Sequence, residues 1–408
     1  MRHPDRHIFG HTPDSLAARL ADAGEPRFRA EQILDWVYSK RVTDPLAMSN
    51  LPARLRERLA AEMAFTSADV IAHERATDGT QKLLVQWWDG DRPDADPAAG
   101  NAAPGGAPPL LPVLTDAPPG DPARQTECVM IPSGGTPIDA GEVDPEALDG
   151  PATGAGKSTS RVRKTACISS QVGCPVGCRF CASGLGGLDG NLSAGRIVEQ
   201  VWRLAGLPGV GRITNVVFMG MGEPLANLRA VVPAVRAITA PWGMGIGARR
   251  VTVSTVGLPR AIERLADELD VPVTLALSLH APNDALRREL IPWAEHATID
   301  QLLEACDAWF RKTGREITLE YILLGGVNDR PEHARELADV ARRLRANVNL
   351  IRYNEVAGLP FERPRSADVR AFQKTLRDAR LNAHIRASRG RDIAAACGQL
   401  RHEQSPAG

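Results

Sequence analysis

The chain has 408 residues, 43% of them hydrophobic and 24% charged, with 49 basic against 49 acidic side chains. At about 150 residues per domain that length suggests two or three domains, and the apolar fraction excludes wholesale disorder. No apolar run approaches the roughly 18 residues needed to cross a bilayer, and the opening MRHPDRHIFG lacks the apolar stretch of a secretory signal.

Seven cysteines are present, and Cys174, Cys178 and Cys181 crowd into eight residues. A secreted disulfide framework spaces its cysteines differently, so the pattern predicts a metal site in a reducing cytoplasm. The zero net charge hides two opposed blocks. Residues 89–150 carry twelve acidic side chains against two arginines, and residues 341–401 carry fourteen basic against five acidic. A polyanion feels the local distribution, because salt screens charge beyond about 8–10 Å. By charge alone, though, a basic block is more often a solvated helix face.

Residues 1–65 read as a small helical accessory domain. Thr12 caps a helix with Pro13 at its first position and Leu16 and Leu20 one turn apart. Phe28, Ile33, Trp36 and Val37 form the apolar side of a second, and Asn50 starts a third with Leu51, Leu55 and Leu59 in register. Residues 66–164 read as a β segment with strands at 80–88 and 125–131. It also holds two insertions, 91–122 and 133–160. The first contains nine of the 31 prolines and is expected to be disordered, because it cannot bury enough apolar surface to offset ordering entropy.

From 165 to 408 the pattern alternates regularly. Strands are predicted at 165–170, 213–219, 249–255, 272–280, 316–324 and 346–352, with helices at 193–205, 225–238, 258–268, 298–312 and 331–344. Near-continuous apolar strands alternating with helices imply a parallel sheet with both faces covered. Six such units favour an α/β fold of the incomplete (β/α)6 barrel type, with a doubly wound sheet as the alternative. One decoy, Gly154-Ala155-Gly156-Lys157-Ser158, is rejected as a phosphate loop. Pro151 stands where the first glycine is required, and no strand–helix junction flanks it.

Cys174-Pro-Val-Gly-Cys178-Arg-Phe-Cys181 follows the first barrel strand. Three thiolates at this spacing can hold one face of an iron–sulfur cube and leave one iron open to a chelating molecule. Structural zinc favours four closed ligands, and the fourth would have to come from far away in sequence. The arrangement resembles the radical S-adenosylmethionine enzymes. That resemblance implies a [4Fe–4S] cluster whose open iron binds S-adenosylmethionine and whose electron generates a 5′-deoxyadenosyl radical. Gly222, Glu223, Ser254, Ser278, His280 and Asn354 fall where barrels place their sites, at the C-terminal ends of strands.

ISSQVGC (168–174), NVVFMGMGEPLAN (215–227), RRVTVST (249–255), SLHAPND (278–284), GGVND (325–329) and AACGQL (395–400) together resemble the RlmN family, dual-specificity 23S rRNA and tRNA adenine-C2 methyltransferases. The resemblance spans about 340 residues and omits the two insertions. It implies cluster ligation by Cys174, Cys178 and Cys181. Gly222, Glu223, Ser254, Ser278, Leu279, His280 and Asn354 would bind S-adenosylmethionine, two molecules of which are used per turnover. Cys397 matches the cysteine that is methylated and becomes the methylene donor. Cys167 matches the one that resolves the covalent RNA adduct by forming a disulfide, and Glu127 the proposed proton acceptor. The resemblance further implies 23S rRNA and tRNA as partners, RNA binding by the helical residues 1–65, an electron donor such as flavodoxin or ferredoxin, and a cytoplasmic monomer. Without it, Cys167, Cys397 and Glu127 would read as ordinary buried or solvated residues, as Cys128 and Cys306 still do. The loop after the cluster departs from the family, with Asp189-Gly190 where a basic residue usually precedes Asn-Leu. Two neighbouring readings share these motifs: an adenine-C8 methyltransferase of the antibiotic-resistance type, and a non-catalytic metal-containing RNA-binding protein.

Overall fold

The computed structural model describes residues 3–4, 6–88, 124–133 and 163–400. Both expected insertions, Ser133 apart, and the rejected segment 154–158 lie outside the described residues. Helices α1 (Pro13–Ala21), α2 (Phe28–Tyr38) and α3 (Ala53–Glu62) form the accessory unit. Thr12 and Ser15 cap α1 reciprocally: Thr12 Oγ1 accepts from the Ser15 N–H at 3.1 Å, and Ser15 Oγ from the Thr12 N–H at 2.9 Å. Leu16, Leu20, Ile33, Val37, Leu55 and Leu59 are buried together. Two expectations shift. Helix α3 starts after Pro52, while the Asn50 side chain instead accepts from Trp36 Nε1 at 2.5 Å. Phe28 is half exposed, since it opens α2 and stacks under the Arg29 guanidinium rather than facing the core.

Among the described residues the main sheet has ten strands. Antiparallel β1 (Ala68–Arg75), β2 (Gln81–Trp87) and β3 (Gln125–Pro132) lead into β4 (Lys164–Cys167). A short hairpin, β5 (Gln171–Gly173) and β6 (Leu188–Asn191), stands apart. Then α4 (Ala194–Ala205), β7 (Asn215–Phe218), α5 (Leu228–Thr239), β8 (Val251–Thr255), α6 (Pro259–Glu268) and β9 (Thr274–Ser278) follow. After α7 (Asp284–Leu290) and α8 (Ile299–Thr313) come β10 (Ile317–Leu323), α9 (Pro331–Ala341), β11 (Ala346–Arg352), α10 (Ser366–Asp378) and β12 (Asn382–Arg386).

The order β4-β7-β8-β9-β10-β11-β12 is parallel and strictly sequential. A doubly wound sheet reverses strand order at a switch point, so that alternative is excluded. Six β/α units are present as read from sequence, and a seventh parallel strand, β12, ends the described sheet. Strand β1, the β5–β6 hairpin, α7, α10 and β12 were not legible in the periodicity. None of the described helices is long and apolar enough to cross a membrane.

Helix α4 is wedged between the barrel and the accessory helices, and nearly every residue on it is buried. Its Glu199 is fully buried and collects four groups. These are Ser67 N–H at 3.0 Å, Ser67 Oγ at 2.7 Å, Arg203 at 2.6 Å and His7 Nε2 at 3.1 Å. Burial pushes the Glu199 carboxyl up, but Arg203, His7 and Ser67 outweigh it and hold the group at about 2. Trp202 adds a bond from Nε1 to the Val37 carbonyl at 2.9 Å. Glu199→Ala would strand Arg203 as a buried unpaired charge, a loss of about 3–5 kcal/mol, to be read by denaturant unfolding. Because the folded-state pKa is depressed, this contribution is present above the ordinary carboxylate range and fades as pH falls toward about 2. The difference between wild type and variant should therefore shrink in acid.

Candidate active site at the carboxyl rim of the barrel

The three clustered cysteines lie on the loop between β5 and β6. Backbone bonds shape it: Cys174 N–H to the Gly187 carbonyl at 2.7 Å, Cys181 N–H to the Cys178 carbonyl at 3.1 Å, and Arg179 N–H to the Leu290 carbonyl at 3.0 Å. Gly177 turns with φ +68°, a conformation that favours glycine. All three thiols line one cavity of about 160 Å³. Among the described residues no three His, Cys, Asp or Glu side chains converge on a single metal ion. A closed zinc site takes four such groups, whereas three thiols that leave one position open suit an iron–sulfur cluster. Burial pushes the Cys174 thiol up to about 12 and those of Cys178 and Cys181 upward, so loading metal must expel protons.

Gly222, Glu223, Ser254, Ser278 and His280 line the same cavity. A Cβ on Gly222 (φ +100°) would sit 2.6 Å from Gln171 Cβ, so only glycine fits this cradle. Glu223 is buried, with one carboxylate oxygen accepting from Val256 N–H at 2.7 Å and the other from Leu225 N–H at 2.9 Å. Burial pushes its carboxyl up to about 7 against those donors. Ser254 Oγ donates to the Phe218 carbonyl at 2.6 Å. His280 holds a left-handed φ of +58°, and burial, then Arg287, drives its pKa down to about 3. Its Nδ1 accepts from Ile322 N–H at 3.0 Å. A neutral imidazole accepting at Nδ1 carries its proton on Nε2, so His280 keeps one donor.

Two residues expected with this group stand elsewhere. Leu279 is fully buried and does not line the cavity; its carbonyl accepts from Arg287 Nε at 3.2 Å. Asn354 lines a second, smaller cavity of about 80 Å³ beside the first. That cavity also holds Cys167, Arg386 and Arg389, while Cys181, Met219 and Cys397 line both cavities. Burial, then the neighbouring Cys397, pushes the Cys167 thiol up to about 12, with Arg386 opposing. All seven cysteines are unbridged. Cys128 and Cys306 are buried in the apolar core, as expected of structural thiols.

The loop carrying Cys397 is pinned on every side. Ala182 N–H donates to the Gly398 carbonyl at 2.8 Å and Ser183 Oγ to that of Leu400 at 2.7 Å. Asn354 Nδ2 reaches the Cys397 carbonyl at 3.4 Å. Away from the cluster, the turn between β1 and β2 exchanges bonds with the loop. Gly390 N–H donates to Asp78 at 2.9 Å, and Thr77 N–H to Asp392 at 2.9 Å.

Glu127 lines neither cavity. It lies in β3 two residues before Val129, which pairs with Cys167 and packs with Cys167 and Met221. Its N–H points to Met221 Sδ at 3.4 Å, and its carboxylate meets Lys82 Nζ at 2.9 Å. Sequence reasoning missed Lys82, Arg287, Arg386 and Glu320, the last of which lines the larger cavity. A lone acid inside the apolar strand TLEYILL was the signal for Glu320. The basic block divides. Arg342, Arg343, Arg365 and Lys374 pair with Asp339, Asp300, Asp368 and Asp378 on the surface, while Arg386 and Arg389 face the smaller cavity.

At Gly390 (φ +67°) an added Cβ would lie 2.8 Å from Thr80 Cγ2 and 2.9 Å from Ala395 Cβ. Gly390→Ala should cost about 1–3 kcal/mol and loosen the Cys397 loop. Faster alkylation of Cys397 by iodoacetamide, located by peptide mass spectrometry, checks this.

Comparison with known proteins follows the same division of the chain. Residues 168–338 match the Radical SAM superfamily, and residues 7–65 match the ribosomal RNA large subunit methyltransferase N-terminal domain. A probable dual-specificity RNA methyltransferase RlmN from Rhodopirellula baltica is 39% identical over 98% of this chain and 91% of its own length. A probable RlmN 3 from Opitutus terrae is 41% identical over 97% and 94%. The crystal structure of a radical SAM methyltransferase from Sphaerobacter thermophilus superposes with a TM-score of 0.79 at 38% identity, covering 98% of this chain and all of that one. With its motifs, its barrel and near full-length relatives in agreement, this chain belongs to the RlmN family of radical S-adenosylmethionine RNA methyltransferases.

Proposed function

We propose that this enzyme methylates C2 of adenine in 23S rRNA and in tRNA, through a methyl group carried on Cys397. The observation that carries this reading is the position of Cys397 on the seam between two cavities, one bearing the three cluster thiols and the other bearing Cys167. Cys174, Cys178 and Cys181 would hold a [4Fe–4S] cluster, and Gly222, Glu223, Ser254, Ser278 and His280 would hold S-adenosylmethionine beside it. Asn354, through the Cys397 carbonyl, and Leu279, through the backbone it anchors, would support the same pocket. When bound, these groups supply an electrophilic methyl and a hydrogen-abstracting radical.

The chain's own residues explain why two further thiols are needed. Adenine C2 is electron-poor, so direct displacement on a sulfonium methyl is unfavourable there, whereas a cysteine thiolate accepts a methyl group readily. Cys397 faces the larger cavity to be methylated and the smaller one to meet the base. Once its carbon is joined to C2, Glu127 takes the C2 proton. Cys167, giving up its own proton, then attacks the Cys397 sulfur; a disulfide forms, the carbon–sulfur bond breaks, and the released carbon takes up a proton to become the methyl group. Burial keeps Cys167 a thiol at rest, which guards it from premature oxidation. Arg386 and Arg389 at the smaller cavity suit a phosphate-bearing substrate. Reduction would come from an external carrier such as flavodoxin or ferredoxin, and the enzyme would act as a cytoplasmic monomer.

Replacing any one of Cys174, Cys178 or Cys181 with Ala should abolish cluster assembly, read as loss of iron and of the brown colour after anaerobic reconstitution. A colourless wild-type protein would sink the assignment. The order of the two outer thiols is tested in cells. Cys167→Ala should purify with RNA bound through Cys397, while Cys397→Ala and the double variant should not. RNA trapped only in Cys397→Ala would reverse the two roles. Nucleoside mass spectrometry of the product separates C2 from C8 methylation.

A further inference from the structure

The antiparallel strands beside the barrel carry a row of residues that the reaction outlined above does not use. Glu74 in β1 pairs directly with Lys82 in β2, Lys82 with Val129 in β3, and Val129 with Cys167 in β4. Residues directly opposite in antiparallel pairs share a face, so this row runs from the resolving cysteine to the sheet edge on one side of the sheet. Glu127 lies on the same face, two residues from Val129. Lys82 Nζ touches both carboxylates, Glu127 at 2.9 Å and Glu74 at 3.1 Å. The side chains of Lys82 and Glu127 are 10% and 9% exposed, that of Glu74 46%. A buried ammonium joins a buried carboxylate to one in water.

We propose that Lys82 and Glu74 form the exit path for the proton that Glu127 removes from the substrate, with Lys82 also holding Glu127 ionised beforehand. The inference rests on the reading of Glu127 as the proton acceptor. C2 and the Cys167 thiol each give up a proton and the released carbon takes one up, so each turnover leaves one proton on Glu127. The proton moves from Glu127 to Lys82 as Lys82 passes one of its own to Glu74, which releases it to water. Glu127 returns to a carboxylate, Lys82 to an ammonium and Glu74 to a carboxylate, and no electrons change hands. Burial pulls the Lys82 pKa down, but Glu127 and Glu74 outweigh it and hold Lys82 charged.

The test uses reconstituted full-length enzyme, a reductant and an excess of an RNA fragment, so that each enzyme turns over several times. Methyl-Cys397, the Cys397–RNA adduct and methylated product are each followed by mass spectrometry. Lys82→Met should leave methylation of Cys397 within about twofold of wild type, yet slow resolution of the adduct about 100-fold or more, so that adduct accumulates. Glu74→Gln, at a half-exposed position, should slow the same step about tenfold and carries the test if Lys82→Met does not fold. An added alkylamine should restore resolution in Lys82→Ala. A merely structural lysine would not divide the two half-reactions in this way. Wild-type resolution in Lys82→Met and Glu74→Gln, with Glu127→Gln stalled, would overturn the exit path and leave Glu127 as the acceptor. Wild-type resolution in Glu127→Gln would overturn the reading of Glu127 itself, and the path with it.

Discussion

Cys167 and Cys397 lie 230 residues apart in the chain, and they line one cavity because the loop bearing Cys397 is held there. Its hydrogen bonds run to the cluster loop on one side and to the β1–β2 turn on the other. Neither partner belongs to the loop's own neighbourhood in sequence. The cluster loop follows the first parallel strand, and the turn belongs to strands added before the barrel begins. Closure of the sheet brings both within reach of residues 390–400.

This pinning divides the interior into two connected spaces of different character. The larger space carries thiols, a carboxyl raised by burial and a neutral histidine with one proton left to donate. The smaller carries Cys167 and two arginines. Cys397 on their shared wall faces both. The left-handed His280 and the glycine cradle at Gly222 show the cost in backbone freedom of shaping the larger space.

The accessory helices depend on a different device. Glu199 is buried beneath them, and its ligands come from the N-terminal segment, the approach to β1 and its own helix. A buried charge of this kind adds little net stability but tolerates few alternative arrangements. It fixes how the helical unit sits on α4, and so how an RNA held there would face the barrel.

Much of this was legible in the sequence because its physical signals are local. Apolar runs alternating with helical periodicity marked six of the seven parallel strands, and the spacing of Cys174, Cys178 and Cys181 marked the cluster loop. Strand β12 escaped because NAHIR is short and polar, and β1 because its burial alternates only at its start. The residues around the reaction were legible one at a time but not in their grouping. That Asn354 stands in the smaller cavity, that Leu279 turns into the core, and that Glu127 is held by Lys82 follow from strand neighbours and loop closure. Side-chain type and periodicity are written along the chain, whereas which strand lies beside which, and which cavity a loop faces, is decided only when distant segments pair.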